Sequence, residues 1–181
     1  MRKIALSISE IKDIEKREFL RLGDSFKLME QAGEACAKQI IKIYKKNKFI
    51  VICGPGNNGG DGLILSSSLS DHGKEVDLYC LGKNNYKGDS LKAFKRNKLK
   101  KKPLNELNVN QDAVIVDALF GIGLNKKIEG IFKECVDKIN NSKLKVIAVD
   151  IPSGIYGDNG KVMGEAVRAD VTLALHAKKL G

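Results

Sequence analysis

Phe49-Ile50-Val51-Ile52-Cys53-Gly54-Pro55-Gly56-Asn57-Asn58-Gly59-Gly60-Asp61-Gly62 is the stretch that decides the fold. Its first five residues are a short apolar run closed by glycine, the pattern of a strand buried on both faces. From Gly60 to about Leu69 the pattern predicts a helix. Between the two, Gly54, Gly56 and Gly59 spell G-x-G-x-x-G. That motif is weak alone, but here it has the context it requires, after a strand and before a helix. Backbone N–H groups at such a helix start suit a phosphate. Read instead as a turn without a ligand, the loop would use Asn57 and Asn58 as turn formers and Asp61 as a helix cap. Five glycines and two asparagines in nine residues exceed what a turn needs.

The same strand-then-helix unit recurs along the sequence. Further strands are predicted over 76–81, 113–117, 146–150 and 171–175, and further helices over 90–98 and 128–139. Upstream, Ile11, Ile14, Phe19 and Leu22 give an amphipathic helix capped by Ser9 and stopped near Gly23. A second helix starts at Asp24 or Ser25 and runs to about Lys46, with Ala32, Gly33, Ala35 and Ala37 as a close packing face. Apolar strands alternating with helices predict an α/β fold, a mainly parallel sheet covered on both faces.

In such sheets ligands bind beyond the carboxyl ends of the strands, near the point where strand order reverses. Three ends carry polar residues. One is the glycine loop, one is Asp117 followed by Ala118-Leu119-Phe120-Gly121-Ile122-Gly123-Leu124, and one is Asp150 followed by Ile151-Pro152-Ser153-Gly154. Singly, Asp117 reads equally as a helix cap or solvated strand end, and Asp150 with Pro152 and Ser153 as a local turn. Their joint placement favours a site. Oxygens of Asn58, Asp117 and Ser153, with backbone carbonyls, would make an all-oxygen cage of the kind hard cations prefer, whereas the lack of a Cys/His cluster argues against zinc or iron. Plain NAD recognition fits poorly, because it wants an acid roughly 20 residues after the loop, at the tip of the next strand. That tip reads Cys80-Leu81-Gly82, and Asp61 would stand beside the pyrophosphate. Of the two histidines, His72 reads as a helix end and His176 as a candidate for the site wall.

The sequence has 181 residues, 43% of them hydrophobic and 30% charged, enough for one domain, 1–181, with a real core. No run of roughly 18 apolar residues is present to span a membrane. Met1-Arg2-Lys3-Ile4 soon meets Glu10 and Asp13, which does not read as a signal peptide. Cys36, Cys53, Cys80 and Cys135 lie singly in apolar stretches and are expected to be buried reduced thiols in a cytoplasmic protein. The net charge of +10 comes from 27 lysines and five arginines spread along the chain. The densest run, Lys98-Leu99-Lys100-Lys101-Lys102, has no interleaved aromatics and reads as a solvated face or loop, so nucleic acid is not the expected partner. The field still favours an anionic, phosphate-bearing ligand.

The three loops together resemble the signatures of the NAD(P)H-hydrate epimerases, the YjeF N-terminal-type domains. Leu28-Met29-Glu30-Gln31-Ala32-Gly33 is similar to that family's early helix, and Gly164-Glu165-Ala166-Val167-Arg168-Ala169-Asp170-Val171-Thr172 to its late region. The resemblance implies a three-layer αβα Rossmann-like sandwich. It implies an isomerase that interconverts the R and S epimers of hydrated NADH and NADPH (NADHX and NADPHX), a metabolite-repair step. An ADP- or ATP-dependent dehydratase would act next. Carried over residue by residue, Asn57, Asn58, Gly59, Gly60 and Asp61 would contact the substrate, as would Gly121, Ile122, Gly123, Leu124, Asn125, Lys126 and Asp150. Asn58, Asp117 and Ser153 would hold potassium, K+, and the protein would be a homodimer. Asp150 is the first candidate for proton transfer, with Lys178 or Lys179 second. The family usually continues past the position of Gly181, so the sequence is expected to be a shortened chain or the front of a longer polypeptide that includes the dehydratase. Two other functions compete with this one. An ordinary NAD(P)-dependent oxidoreductase would act on unmodified NADH. A non-catalytic scaffold, nucleotide- or RNA-binding, is a role that the resemblance extends to mRNA-decapping enhancers and an apolipoprotein-binding protein, and the presence of Asn58, Asp117, Asp150 and Ser153 argues against it.

Overall fold

In a computed structural model describing residues 5–181, the apolar runs do become the centre of one parallel sheet. The chain runs β1 (Ala5–Leu6), α1 (Ile8–Leu22), α2 (Ser25–Ile43), β2 (Lys48–Cys53), α3 (Asn57–Asp71), β3 (Glu75–Cys80) and α4 (Gly88–Arg96). It continues through β4 (Lys101–Lys102), β5 (Val114–Ala118), α5 (Gly130–Asn140), β6 (Lys145–Val149), β7 (Val171–Leu173) and β8 (Lys178–Lys179). Six strands pair in the order β4-β3-β2-β5-β6-β7, all parallel. The order reverses between β2 and β5. The connections leaving the two strands run there to opposite faces of the sheet, α3 to one and α5 to the other, which leaves the crevice where this topology places ligands.

Alternation along the strands divides the core in two. Phe49, Val51 and Cys53 of β2, with Val114 and Val116 of β5, pack on Phe26, Ile40, Leu63 and Ala93 from α2, α3 and α4. Ile50, Ile52 and Ile115 face the other way, onto Cys135, Val136 and Ile139 of α5. This is the three-layer arrangement. The small face of α2 lets α3 come close, and a Cβ on Gly33 would stand 2.6 Å from Ile64 Cβ.

Several boundaries differ from the sequence expectation. Helix α1 is capped by Ser7, not Ser9, because Ser7 and Glu10 form a reciprocal capping box. Helix α3 begins at Asn57 rather than Gly60, so the Asn-Asn-Gly-Gly segment is its first turn and Asp61 lies inside the helix rather than capping it. Helix α5 starts at Gly130, and β7 stops at Leu173. Lys101 and Lys102, expected in a solvated face or loop, form the short edge strand β4, where Lys102 pairs with Asp77 at 2.5 Å. The pairing of β1 with β8 joins the two ends of the chain and was not expected. Among the described residues no helix is long and apolar enough to cross a membrane.

All four thiols are free and buried. Burial pushes both Cys36 and Cys135 up to about 12. At pH 8 these two are therefore expected to resist iodoacetamide while the protein is folded, since the thiolate is the reactive form. Mass spectrometry before and after denaturant reads this directly. Labelling of Cys36 or Cys135 in folded protein at the rate of a free thiol would contradict the packing described.

Candidate active site

The crevice holds a cavity of about 390 Å³. Asn57 and Asn58 line it from the first turn of α3 and Asp61 from just past that turn, Gly121 to Lys126 from the loop after β5, and Asp150 from the end of β6. Lys12 and Glu15 of α1 and Leu175 also line it. Apart from the polar face of the amphipathic α1, nothing local in the sequence connects these three with the site.

Asp150 follows the last residue of β6 with φ of 69°, a left-handed backbone that Asp tolerates better than most residues. Its Oδ2 accepts the Ile122 N–H at 3.2 Å. Its Oδ1 accepts from Lys179 Nζ in a buried ion pair. Lys179 also donates to the carbonyls of Leu175 (2.9 Å) and Ala177 (3.1 Å), so all three of its protons have acceptors. Of the two lysines considered, Lys179 is the one brought to the site, while Lys178 is exposed. A Cβ on Gly121 would stand 2.7 Å from Asp150 Oδ2 and 3.3 Å from Asn58 Cβ, so a larger residue there has to displace the Asp150 carboxylate.

Asp117 is not at a strand tip. It is the fourth residue of β5, fully buried, and lies behind the cavity rather than in its wall. Its carboxylate accepts Ser153 N–H (2.9 Å), Ser153 Oγ–H (2.6 Å) and Leu119 N–H (3.1 Å). Burial pushes Asp117 up to about 6, with these hydrogen bonds working the other way. Ser153 Oγ in turn accepts the Phe120 N–H at 2.9 Å. The Asn58 side chain is buried with neither its Oδ1 nor its Nδ2 partnered. A buried amide costs about 1–3 kcal/mol when left so. It therefore marks a place where a ligand is wanted.

Gly59 and Gly60 back the loop instead of lining the cavity. A Cβ on Gly59 would strike the Gly54 carbonyl, and one on Gly60 would strike the Met29 thioether. His176 sits beside the site in an adjoining cavity of about 350 Å³, 3.4 Å from Glu15. His72 closes the end of α3, with Nδ1 2.7 Å from the Ser68 carbonyl. Among the described residues no group of three or more His, Cys, Asp or Glu side chains gathers as a metal site.

Comparison with known proteins gives this geometry a context. Residues 25–181 match the family described as YjeF-related protein N-terminus. An NAD(P)H-hydrate epimerase of Lentilactobacillus buchneri is 33% identical over 184 residues, covering 98% of this chain and 85% of its own length. A bifunctional NAD(P)H-hydrate repair enzyme, Nnr, of Thermofilum pendens is 37% identical over 190 residues, covering 96% of this chain and 36% of its own. The chain thus spans about a third of that bifunctional relative and most of the single-activity one. The crystal structure of the yeast protein ynu0 (YNL200c) superposes with a TM-score of 0.79 at 24% identity, covering 98% of this chain and 82% of that one, a likeness of fold.

Proposed function

The chain belongs to the family of YjeF-related protein N-termini, and on that premise we propose that it interconverts the R and S epimers of hydrated NADH and NADPH. The observation that carries this reading is a single cavity joining the α3 first turn, the Gly121–Lys126 loop and the paired Asp150. Its glycine-rich rim and backbone N–H groups suit a pyrophosphate. Its buried carboxylates suit proton transfer at the far end of the substrate.

The hydrate carries a hydroxyl on a ring carbon next to the ring nitrogen. Inversion needs that C–O bond to break, with the nitrogen lone pair forming a C=N bond, and water then to add to the opposite face. Asp150 is placed to hold or take a proton in this exchange, and Lys179 fixes its orientation. For a potassium ion, Asn58, Asp117 and Ser153 would be the holders. The orphaned Asn58 amide and an otherwise all-oxygen donor set fit a hard monovalent cation. When bound, such an ion supplies fixed positive charge beside the site. The reading includes one domain over 1–181, a homodimer and a cytoplasmic setting, which the four free thiols suit. It also includes a dehydratase acting on the same substrate; the Thermofilum relative, of which this chain spans about a third, is named as a bifunctional repair enzyme.

Chromatographic separation of the two hydrates tests it. Adding the protein is expected to speed R/S interconversion above the spontaneous rate, and replacing potassium by tetramethylammonium to slow it. An unchanged rate with protein present would sink the proposal.

A further inference from the structure

Inversion by loss and re-addition of water needs protons handled on both faces of one ring. A single carboxylate does not serve both faces. Five ionisable side chains line the cavity: Lys12, Glu15, Asp61, Lys126 and Asp150. Lys12 and Lys126 are exposed, and Glu15 is partly exposed and faces His176. Asp61 and Asp150 are the two buried ones, at 8% and 7% exposure, and they sit on different walls. Their surroundings differ sharply. Asp150 accepts from Lys179 Nζ and from the Ile122 N–H, so both of its carboxylate oxygens are engaged. Asp61 has no hydrogen-bond or ion-pair partner among the described residues, and it lies past the first turn of α3, where it caps nothing. No structural task explains a carboxyl buried there.

Resting on the epimerase reading, we infer that Asp61 is the second proton-transferring group of the reaction, the acid that complements Asp150. Asp61 gives its proton to the departing hydroxyl. The C–O bond breaks, the oxygen leaves as water, and the ring-nitrogen lone pair becomes the C=N bond. Water entering on the opposite face forms the new C–O bond and passes a proton to Asp150, while the C=N electrons return to nitrogen. Asp61 ends ionised and Asp150 protonated, and exchange of one proton with solvent at each carboxyl, both of which line the open cavity, restores them for the next turnover. Nothing is oxidised or reduced. Burial, with the charges of Asp150 and Glu15 adding to it, holds the Asp61 carboxyl well above the usual carboxylate range and so keeps it a proton donor. Two carboxyl groups in one cavity, one unpartnered and one ion-paired, show the contrast of environments that marks an acid and base pair.

Asp61→Asn tests this, since the amide keeps the shape and can donate a hydrogen bond but cannot release a proton. In the protein with potassium present, kcat for hydrate epimerisation is expected to fall by ~10²–10⁴-fold with KM nearly unchanged. Incorporation of ¹⁸O from labelled water into both epimers is expected to fall in step. The thermal midpoint should equal or exceed that of the unsubstituted protein, because a buried unpaired acid is lost. Should the asparagine variant fail to fold, Asp61→Ala is measured in its place against the same criteria. An Asp61 variant that is folded and keeps full kcat and ¹⁸O exchange, beside an active unsubstituted protein, overturns this assignment alone. An inactive unsubstituted protein overturns the epimerase reading and the assignment with it.

Discussion

Asp150→Asn is expected to lower kcat for hydrate epimerisation by ~10²–10⁴-fold, the range over which a positioned proton-transfer group acts. Asparagine is the informative substitute because it tolerates the left-handed backbone at φ 69°, so the end of β6 keeps its course. The loss would therefore report chemistry more than folding. Some stability is lost as well. The amide must turn its NH2 either to Lys179 Nζ or to the Ile122 N–H, and a donor facing a donor leaves about 1–3 kcal/mol uncompensated. Lys179→Met is the sterner change, because it strands a carboxylate whose side chain is only 9% exposed. Breaking a buried pair from one side costs about 3–5 kcal/mol. The double variant should then melt higher than the two single losses predict, since each substitution removes the partner that makes the other costly. Turnover and thermal midpoint measured on the three variants decide the matter. A folded Asp150→Asn protein with unreduced turnover would remove Asp150 from the mechanism.

Why Asp150 was legible and Lys179 only half so is a matter of range. A run of four apolar residues, a polar tip and a glycine soon after is a local pattern, and the burial of Val146, Ile147, Ala148 and Val149 follows from it. The place of Lys179 depends on β8, two residues long, pairing with Ala5 and Leu6 at the opposite end of the chain. No periodicity exists in two residues, and a contact over that separation leaves no mark on either segment. The same holds for Lys12 and Glu15. Their helix was evident from its apolar stripe, but the neighbour of its polar face is set by how α1 is anchored, with the Ile8 N–H donating to Asp158 at 2.7 Å. Asp117 was assigned to the right strand and the wrong depth, because the strand's hydrogen-bonding register places it opposite Ile52 and Ala148, under the cavity floor. The start of α3 was missed for a different reason. Asn-Asn-Gly-Gly has poor helix propensity, and tertiary contacts override it.

Those contacts make Gly59→Ala the most damaging single methyl group to be expected in this protein. An ideal Cβ on Gly59 would lie 1.7 Å from the Gly54 carbonyl oxygen and 2.6 Å from its carbon. The obstacle is backbone, so no side chain can turn aside. Gly54 cannot retreat either, since its own Cα faces the Leu119 carbonyl so closely that a Cβ there would sit 2.0 Å from the oxygen. Its N–H is also held by the Ala118 carbonyl at 3.0 Å. The end of β2, the first turn of α3 and the chain leaving β5 are thus locked edge to edge, and the added methyl must force one of them away. A cost above ~4 kcal/mol places the variant in the rare, severe class and approaches the whole stability of an ordinary domain. At about 2–4 °C per kcal/mol for a chain of this size, the thermal midpoint should drop by ~10 °C or more, or no folded protein should be recovered. Gly56→Ala is the control from the same loop, because a Cβ there meets nothing within 4 Å and its φ of −85° is ordinary for alanine. Scanning calorimetry should find it close to the unsubstituted protein. If the two alanine variants melted alike, the loop would owe its glycines to something other than this close backbone contact, and the α3 first turn would not be the rigid wall on which Asn58 and Asp61 depend for their positions.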